Sequence, residues 1–291
     1  MRIGALEAGG TKMVLGVFDE EGHLLEDTKL PTRSPDQTVP EIASYFREKR
    51  IDRLGIGTFG PVDLRKDSPD YGTITATPKL DWRNYPLLRE LQAALRVPCV
   101  IDTDVNAAAL AECRLGAARG CENAVYVTVG TGIGAGICVG GKPVHGLMHP
   151  EVGHMLLKPN PKDPLPRGIC PYHESCLEGL ASGPSIAKRA GTGAENLRED
   201  DPAFTLESEY LAQMCVNLIM TVSPEKIVLG GGVMGRNFLM DRIRKETVRL
   251  LGGYIQAPEI TARVDSYIVL PELYPISGLI GAWLQARDEM G

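Results

Sequence analysis

Apolar residues fall in short runs parted by turn residues, and the period of the runs switches between two and about 3.6 along the chain. Residues 3–6 and 13–18 are apolar runs of strand length. Glu7-Ala8-Gly9-Gly10-Thr11-Lys12 lies between them, and Asp19-Glu20-Glu21-Gly22 turns the chain into a third strand over 23–30. A helix is expected over 40–49. Residues 53–59 read as a strand that ends in the rigid turn Gly60-Pro61-Val62, followed by loop over 63–78. A second loop, 80–85, carries Trp82 and Asn84 ahead of a helix over 86–95. A strand over 97–101 runs into Asp102-Thr103-Asp104-Val105-Asn106 and a small-residue helix over 107–115.

The second half begins the same way. An apolar strand over 124–129 meets a Gly/Thr turn at 130–136, a second short strand over 137–139, a Gly-Gly-Lys turn and another strand start at Pro143-Val144. Read alone, 130–136 fits a dinucleotide fingerprint, but that motif requires a helix to follow, and a hairpin follows instead. The repeat of strand, Gly/Thr turn, strand, Gly turn, strand predicts a duplicated α/β fold with a nucleotide between its halves. Helices are expected over 177–190, with a break at 181–184, and over 205–222. A strand over 226–229 ends in Gly230-Gly231-Gly232-Val233, a charged helix follows, and the last strand covers 267–270. Arg242, Arg244, Lys245 and Arg249 alternate with Asp241 and Glu246, which describes a solvated face. A helix opening at Ser277 closes the chain.

Composition narrows the class. With 291 residues, 43% hydrophobic residues, 33 Gly and 21 Pro, the chain has enough apolar material for a large core and the balance of an ordinary globular protein. A net charge of −6 without blocks of like charge disfavours nucleic acid and anionic membrane as partners. No apolar run reaches spanning length and the N-terminus lacks the regions of a signal peptide. Seven cysteines, an odd number, argue against a disulfide framework, and Cys99, Cys113, Cys121, Cys138 and Cys215 sit in apolar contexts as core thiols. A reducing cytoplasm is the expected setting.

Candidate chemistry concentrates in residues 151–178. Cys170, His173 and Cys176 form Cys-x-x-His-x-x-Cys on one tight loop, and a Pro-rich spacer can return His154 as a fourth ligand. Two thiolates and two imidazoles make the closed tetrahedral set of a structural zinc site. Glu151 and Glu178 frame it, where a metal clamp would hold both rigidly. Elsewhere, Gly9 and Gly10 let the backbone approach a ligand, with amide N–H groups and the Thr11 hydroxyl placed to meet phosphate, although a ligand-free Gly-Gly hairpin has the same pattern. Gly60 stands at a strand's carboxyl end, where open α/β sheets bind ligands. Asp102, Thr103, Asp104 and Asn106 supply four candidates for a single helix cap, more than capping requires, so a carboxylate there is free to serve as a base.

Seven motifs occur in order: EAGGTK at 7–12, GPV at 60–62, DTDVNAAA at 102–109, GTGIGAG at 130–136, EVGH at 151–154, LGGGV at 229–233 and SGLIGA at 277–282. Together they resemble the ROK sugar kinases across essentially the whole chain, and CPYHESCLEGLASGP looks most like the family's bacterial fructokinases. The family more often has Asp where Glu7 stands, and a third Cys where His173 stands. The resemblance implies the actin-like, ribonuclease H-like ATPase fold: two α/β domains with a cleft between them, residues 1–115 completed by 277–291, and 116–276 with the zinc loop. It implies ATP with magnesium, Asp104 as general base on the sugar hydroxyl, and Gly9, Gly10, Thr11 and Lys12 as the first phosphate loop. Thr131 and Gly132 would form the second loop, and Gly231 and Gly232 would lie against adenosine. Gly60, Asn84, Asn106, Glu151, His154 and Glu178 would line the sugar, with His154 also on zinc. A homodimer is common in the family.

The expected activity is phosphorylation of a hexose, D-fructose foremost, with glucokinase or mannokinase as the alternatives. Phosphoryl transfer needs what the motifs offer: phosphate-positioning loops, a divalent cation and a base. A sugar-sensing transcriptional regulator is the reading from another class; its helix-turn-helix would have to precede a phosphate loop that begins at residue 7. A chaperone-type ATPase would lack a sugar pocket, against EVGH and the zinc loop.

Overall fold

The computed structural model describes residues 1–288, and the chain divides into two compact units. The first comprises Met1–Arg114, Lys142–Pro150 and the segment from Leu273 onward; the second comprises Leu115–Gly141 and Glu151–Glu272. Residues 142–150 and 273–276 thus fall in the first unit and Leu115 in the second, opposite to the boundaries expected from the sequence.

In the first unit, β1 (Ile3–Ala8), β2 (Lys12–Phe18), β3 (Leu24–Pro31), β4 (Arg53–Thr58) and β5 (Cys99–Thr103) form one sheet in the order β3-β2-β1-β4-β5. β1 pairs antiparallel with β2 and parallel with β4, and β4 pairs parallel with β5. Strand period divides β1 between two cores. Leu6 and Ala8 join Met13, Leu15, Ile42, Phe46 and Trp82 on the face that carries α1 (Pro35–Lys49) and α2 (Leu87–Leu95). Ile3 and Ala5 join Phe18, Leu110, Leu279 and Trp283 on the other, beneath α3 (Asp104–Leu115) and the closing helix Ser277–Asp288. Glu7 follows the parity of Ile3 and Ala5, so its carboxyl comes to lie under the start of the closing helix.

Helix α1 begins five residues earlier than expected. Pro35 takes the first helical position, where a missing N–H costs nothing, and Thr38 and Val39 are already buried, so the helix runs on through Pro40.

The second unit repeats the pattern. β6 (Ala124–Val129) and β7 (Ile133–Val139) form an antiparallel hairpin, as the pattern predicted in place of a dinucleotide motif. The chain then passes through the two-residue strand β8 (Lys142–Pro143). β9 (Lys226–Gly230) and β10 (Ile268–Val269) complete the order β10-β9-β6-β7, with β6–β9 and β9–β10 parallel. The expected helix over 177–190 is two helices, α4 (Leu177–Ala181) and α5 (Gly183–Ala190), parted at Ser182. α6 (Pro202–Val222) starts where the Asp201 carboxylate accepts from Ala203 N–H, and it buries Met214 and Cys215 in the core. α7 (Asn237–Leu251) follows β9, and the last strand is short because a helical turn, Val264–Tyr267, takes up its start. All seven cysteines are free. Among the described residues no helix is long and apolar enough to cross a membrane.

Candidate active site and metal centre

In the first unit the carboxyl ends of β1, β4 and β5 gather the polar side chains. The turn after β1 is tightly tied: Gly9 N–H donates to the Lys12 carbonyl at 3.0 Å, the Thr32 hydroxyl donates to the Gly9 carbonyl at 2.7 Å, and Thr32 N–H donates to the Thr11 carbonyl at 3.0 Å. Thr11 and Lys12 are exposed on it. Asp104 is the first residue of α3 and half-buried. Thr103 supplies the cap, its Oγ1 accepting from Asn106 N–H at 3.1 Å, so Asp104 is not needed for that role. One Asp104 oxygen accepts from Val105 N–H at 2.9 Å. Burial pushes its carboxyl up to about 6. Burial and then the nearby Asp104 carboxylate push Glu7 up to about 7. Glu7 Oε2 is buried without a hydrogen-bond partner among the described residues, and a Cβ on Gly278 would stand 2.8 Å from the Glu7 carboxyl carbon.

Asn106 is buried and held from behind. Its amide Nδ2 donates to Asp102 Oδ1 at 2.8 Å, while Asp102 Oδ2 lies 2.9 Å from His145 Nε2 and accepts from Gln285 Nε2 at 3.3 Å. Asn106 Oδ1 has no hydrogen-bond partner among the described residues. At the end of β4, the Pro61 carbonyl beyond Gly60 accepts from Thr75 N–H at 2.7 Å, and Val62 N–H donates to His149 Nε2 at 3.2 Å. Asn84 is exposed in the left-handed conformation at φ 58°. Sequence reasoning missed His145 and His149. Both lie on the returning segment Lys142–Pro150, and no local pattern ties that segment to β4 or β5.

In the second unit the side chains expected as metal ligands come together. The ligand atoms of His154, Cys170, His173 and Cys176 all lie within 4.8 Å of one another. Cys170 Sγ is 3.9 Å from His154 Nδ1 and 3.7 Å from His173 Nδ1, and Cys176 Sγ is 3.8 Å from His154 Nδ1. A tetrahedral ion with metal–sulfur and metal–nitrogen bonds of about 2.3 and 2.0 Å needs sulfur–nitrogen edges of roughly 3.6 Å, so the set fits. His154 ends the turn Val152–His154, its N–H donating to the Glu151 carbonyl at 3.0 Å. Cys176 caps α4, its Sγ accepting from Gly179 N–H at 3.4 Å, and burial pushes its thiol up to about 11.

The Pro-rich loop before the cluster has a fastening of its own. Asp163 forms a two-bond pair with Arg189, through Nε at 2.9 Å and Nη2 at 3.0 Å, and accepts from the Tyr210 hydroxyl at 2.6 Å. The carboxylate of Asp163 and the guanidinium of Arg189 are almost wholly buried. Glu178, two residues past the cluster, reaches the second Gly/Thr turn, where its Oε2 accepts from Ile133 N–H at 2.9 Å. That link carries no sequence signal, because it joins a helix to a hairpin 45 residues away. Thr131 is exposed on this turn and Gly132 is half-buried. Gly231, at φ 91°, lies so close to the β6 backbone that a Cβ there would overlap the Val129 carbonyl; Gly232 beside it is exposed.

The model of the ROK family matches residues 3–289. Fructokinases of Pediococcus pentosaceus and Lactococcus lactis subsp. cremoris are similar at 40% and 42% identity. The first match covers 99% of this chain and 98% of the relative, the second 92% and 90%. A ROK family glucokinase from Streptomyces griseus, solved with glucose and AMPPNP, superposes with a TM-score of 0.79 at 27% identity over 99% of each chain. A ROK hexokinase from Thermus thermophilus gives 0.77 at 29% identity over 98% of each. Two mixed sheets of the same topology, strand-end carboxylates and full-length similarity lead to one assignment: the chain belongs to the ROK family and has its actin-like ATPase fold.

Proposed function

We propose that the protein is a fructokinase, transferring the γ-phosphoryl group of ATP to the 6-hydroxyl of D-fructose. The observation that carries this reading is identity of about 40% to curated fructokinases over nearly the whole length of both chains. The geometry supports it with chemistry. The hydroxyl oxygen forms its bond to the γ-phosphorus as the bond to ADP breaks, and the hydroxyl proton passes to Asp104. A carboxyl raised to about 6 is a stronger base than an ordinary aspartate yet still ionised at neutral pH.

The turns at Gly9-Gly10-Thr11-Lys12 and Thr131-Gly132 would cradle phosphates through backbone N–H groups and hydroxyls, and Gly231 and Gly232 would face adenosine. Asn106 would present its unpartnered Oδ1 to a sugar hydroxyl, with Gly60, Asn84, Glu151 and His154 completing the grip. Glu178, already bonded to Ile133 N–H, would tie the sugar side to the second phosphate turn. Magnesium suits the unpartnered Oε2 of Glu7, a hard oxygen donor, and would supply charge neutralisation on the phosphates. The Cys/His cluster would hold structural zinc through all four side chains, with no open position for chemistry. His154, whose Nδ1 faces the two thiols, would keep Nε2 for the sugar. A homodimer is proposed on the family resemblance, to be checked by solution mass against 31.5 kDa per chain.

The test is a coupled assay of ADP release across fructose, glucose and mannose with ATP and magnesium. Fructose should give the highest kcat/KM. Another hexose in first place would reassign the substrate, and no turnover with any hexose would sink the kinase reading.

A further inference from the structure

One cation near the first phosphate turn has no assigned work. Lys79 stands in the loop after β4, and its side chain crosses the turn: a Cβ on Gly10 would lie 3.2 Å from Lys79 Cε. The loop holds it there firmly. Lys79 N–H donates to the hydroxyl of buried Thr77 at 3.3 Å, and its carbonyl accepts from Trp82 N–H at 2.9 Å. Trp82, itself buried, is pinned by its indole N–H to the Arg33 carbonyl at 2.8 Å. Lys79 is thus half-buried, on a loop tied by these hydrogen bonds, and without an ion pair among the described residues. An ammonium without a counter-charge beside such a turn is suited to receive an anion.

We infer that Lys79 contacts the phosphoryl group as it passes from nucleotide to sugar at the Gly9-Gly10-Thr11 turn. This rests on the kinase reading above. Lys79 neutralises charge on the phosphoryl oxygens while Asp104 takes the proton of the sugar hydroxyl. Its flexible stem lets it follow the group between its two positions. The contact exists with ATP and with the sugar phosphate, and not with ADP or the free sugar.

Lys79→Met should therefore lower kcat/KM for ATP about 10²-fold, the loss typical of one electrostatic donor. Inhibition by fructose 6-phosphate should weaken by about tenfold or more, while calorimetric Kd values for ADP and fructose stay within about twofold of wild type. Lys79→Arg, which keeps the charge, should recover most of the loss. Thr11→Ala serves as the control on the turn itself. Unchanged kcat/KM in Lys79→Met beside a large loss in Thr11→Ala overturns this inference and leaves the kinase reading standing; no loss in either overturns the role of the turn as well. Parallel weakening of ADP or fructose binding, or a failure of Lys79→Arg to recover activity, also overturns it, since either would make Lys79 a prop of the loop.

Discussion

The two halves have the same hairpin-plus-parallel sheet and end their strands differently. In the first, β1 delivers Glu7 and β5 delivers Asp104, two carboxyls close enough for one to raise the other. In the second, β6 runs on into Gly130-Thr131, β9 ends in Gly230, and β10 is followed by Leu270 and Pro271. The added material differs too. The first half spends its long connection between β4 and β5 bringing Lys79 to the Gly9-Gly10 turn, whereas the second spends its loop after β8 on four side chains that could hold a metal ion. One backbone plan, used twice, thus carries a pair of carboxyls at the strand ends of one half and a Cys/His cluster in the other. The topology fixes where side chains gather, and the residues at strand ends decide what they do.

If that division holds, disturbing the first half should change turnover and disturbing the second should change affinity. The largest effect should come from Asp104→Asn, which keeps shape but loses the base: kcat should fall at least ~10²-fold with ADP binding nearly unchanged. Near-normal turnover would reduce Asp104 to the helix-start residue that Thr103 already makes redundant. The same group sets the pH profile. Since its carboxyl is raised to about 6, kcat/KM should drop about tenfold per pH unit below that value, as protonation removes the base. A profile flat down to pH 5 would break the assignment.

In the second half, chelation or Cys176→Ala should raise the fructose KM by roughly tenfold and lower the melting temperature together, with ATP KM little changed. Measured zinc far below one per chain, or a loss in kcat alone, would erase the contrast between the halves. The smallest effect is on stability. Glu7 holds its proton more tightly folded than unfolded, so raising pH from about 4.5 to about 7 withdraws stability, at about 1.4 kcal/mol per unit of difference. Glu7→Gln should therefore melt a few degrees higher than wild type at pH 8 without divalent cations, and no higher at pH 4, where both side chains are neutral. Equal melting curves at pH 8 would show that the carboxyl is not burdened by its burial.

Much of this was legible in the chain because the signals are local. Period-two runs broken by Gly/Thr turns mark the hairpins, the Asp-Thr-Asp-Val-Asn run marks the junction of β5 and α3, and Cys-x-x-His-x-x-Cys marks the metal loop. What escaped depends on partners far away in sequence. Glu7 under Gly278, Glu178 on Ile133 and His145 on Asp102 each join residues that only the folded sheets bring together. Lys79 was invisible for the same reason: its meaning comes from Gly10, on another strand's turn. The helix boundary at Pro35 escaped because two prolines five residues apart both satisfy the first-turn rule, and burial of Thr38 and Val39 decided between them.

The Asp163–Arg189 pair has a consequence for how the metal loop comes apart. With the proposed zinc bound, the loop would be secured at one end by ligands that depend on an exchangeable ion; at the other it is held by a buried ion pair and the Tyr210 hydroxyl, which do not. Stripping the metal should free residues near 167–175 to protease and to solvent deuterium while 158–165 stay protected until α5 and α6 separate. On the zinc proposal the loop would be hinged on one side and latched on the other, so losing its ion should open it without detaching it.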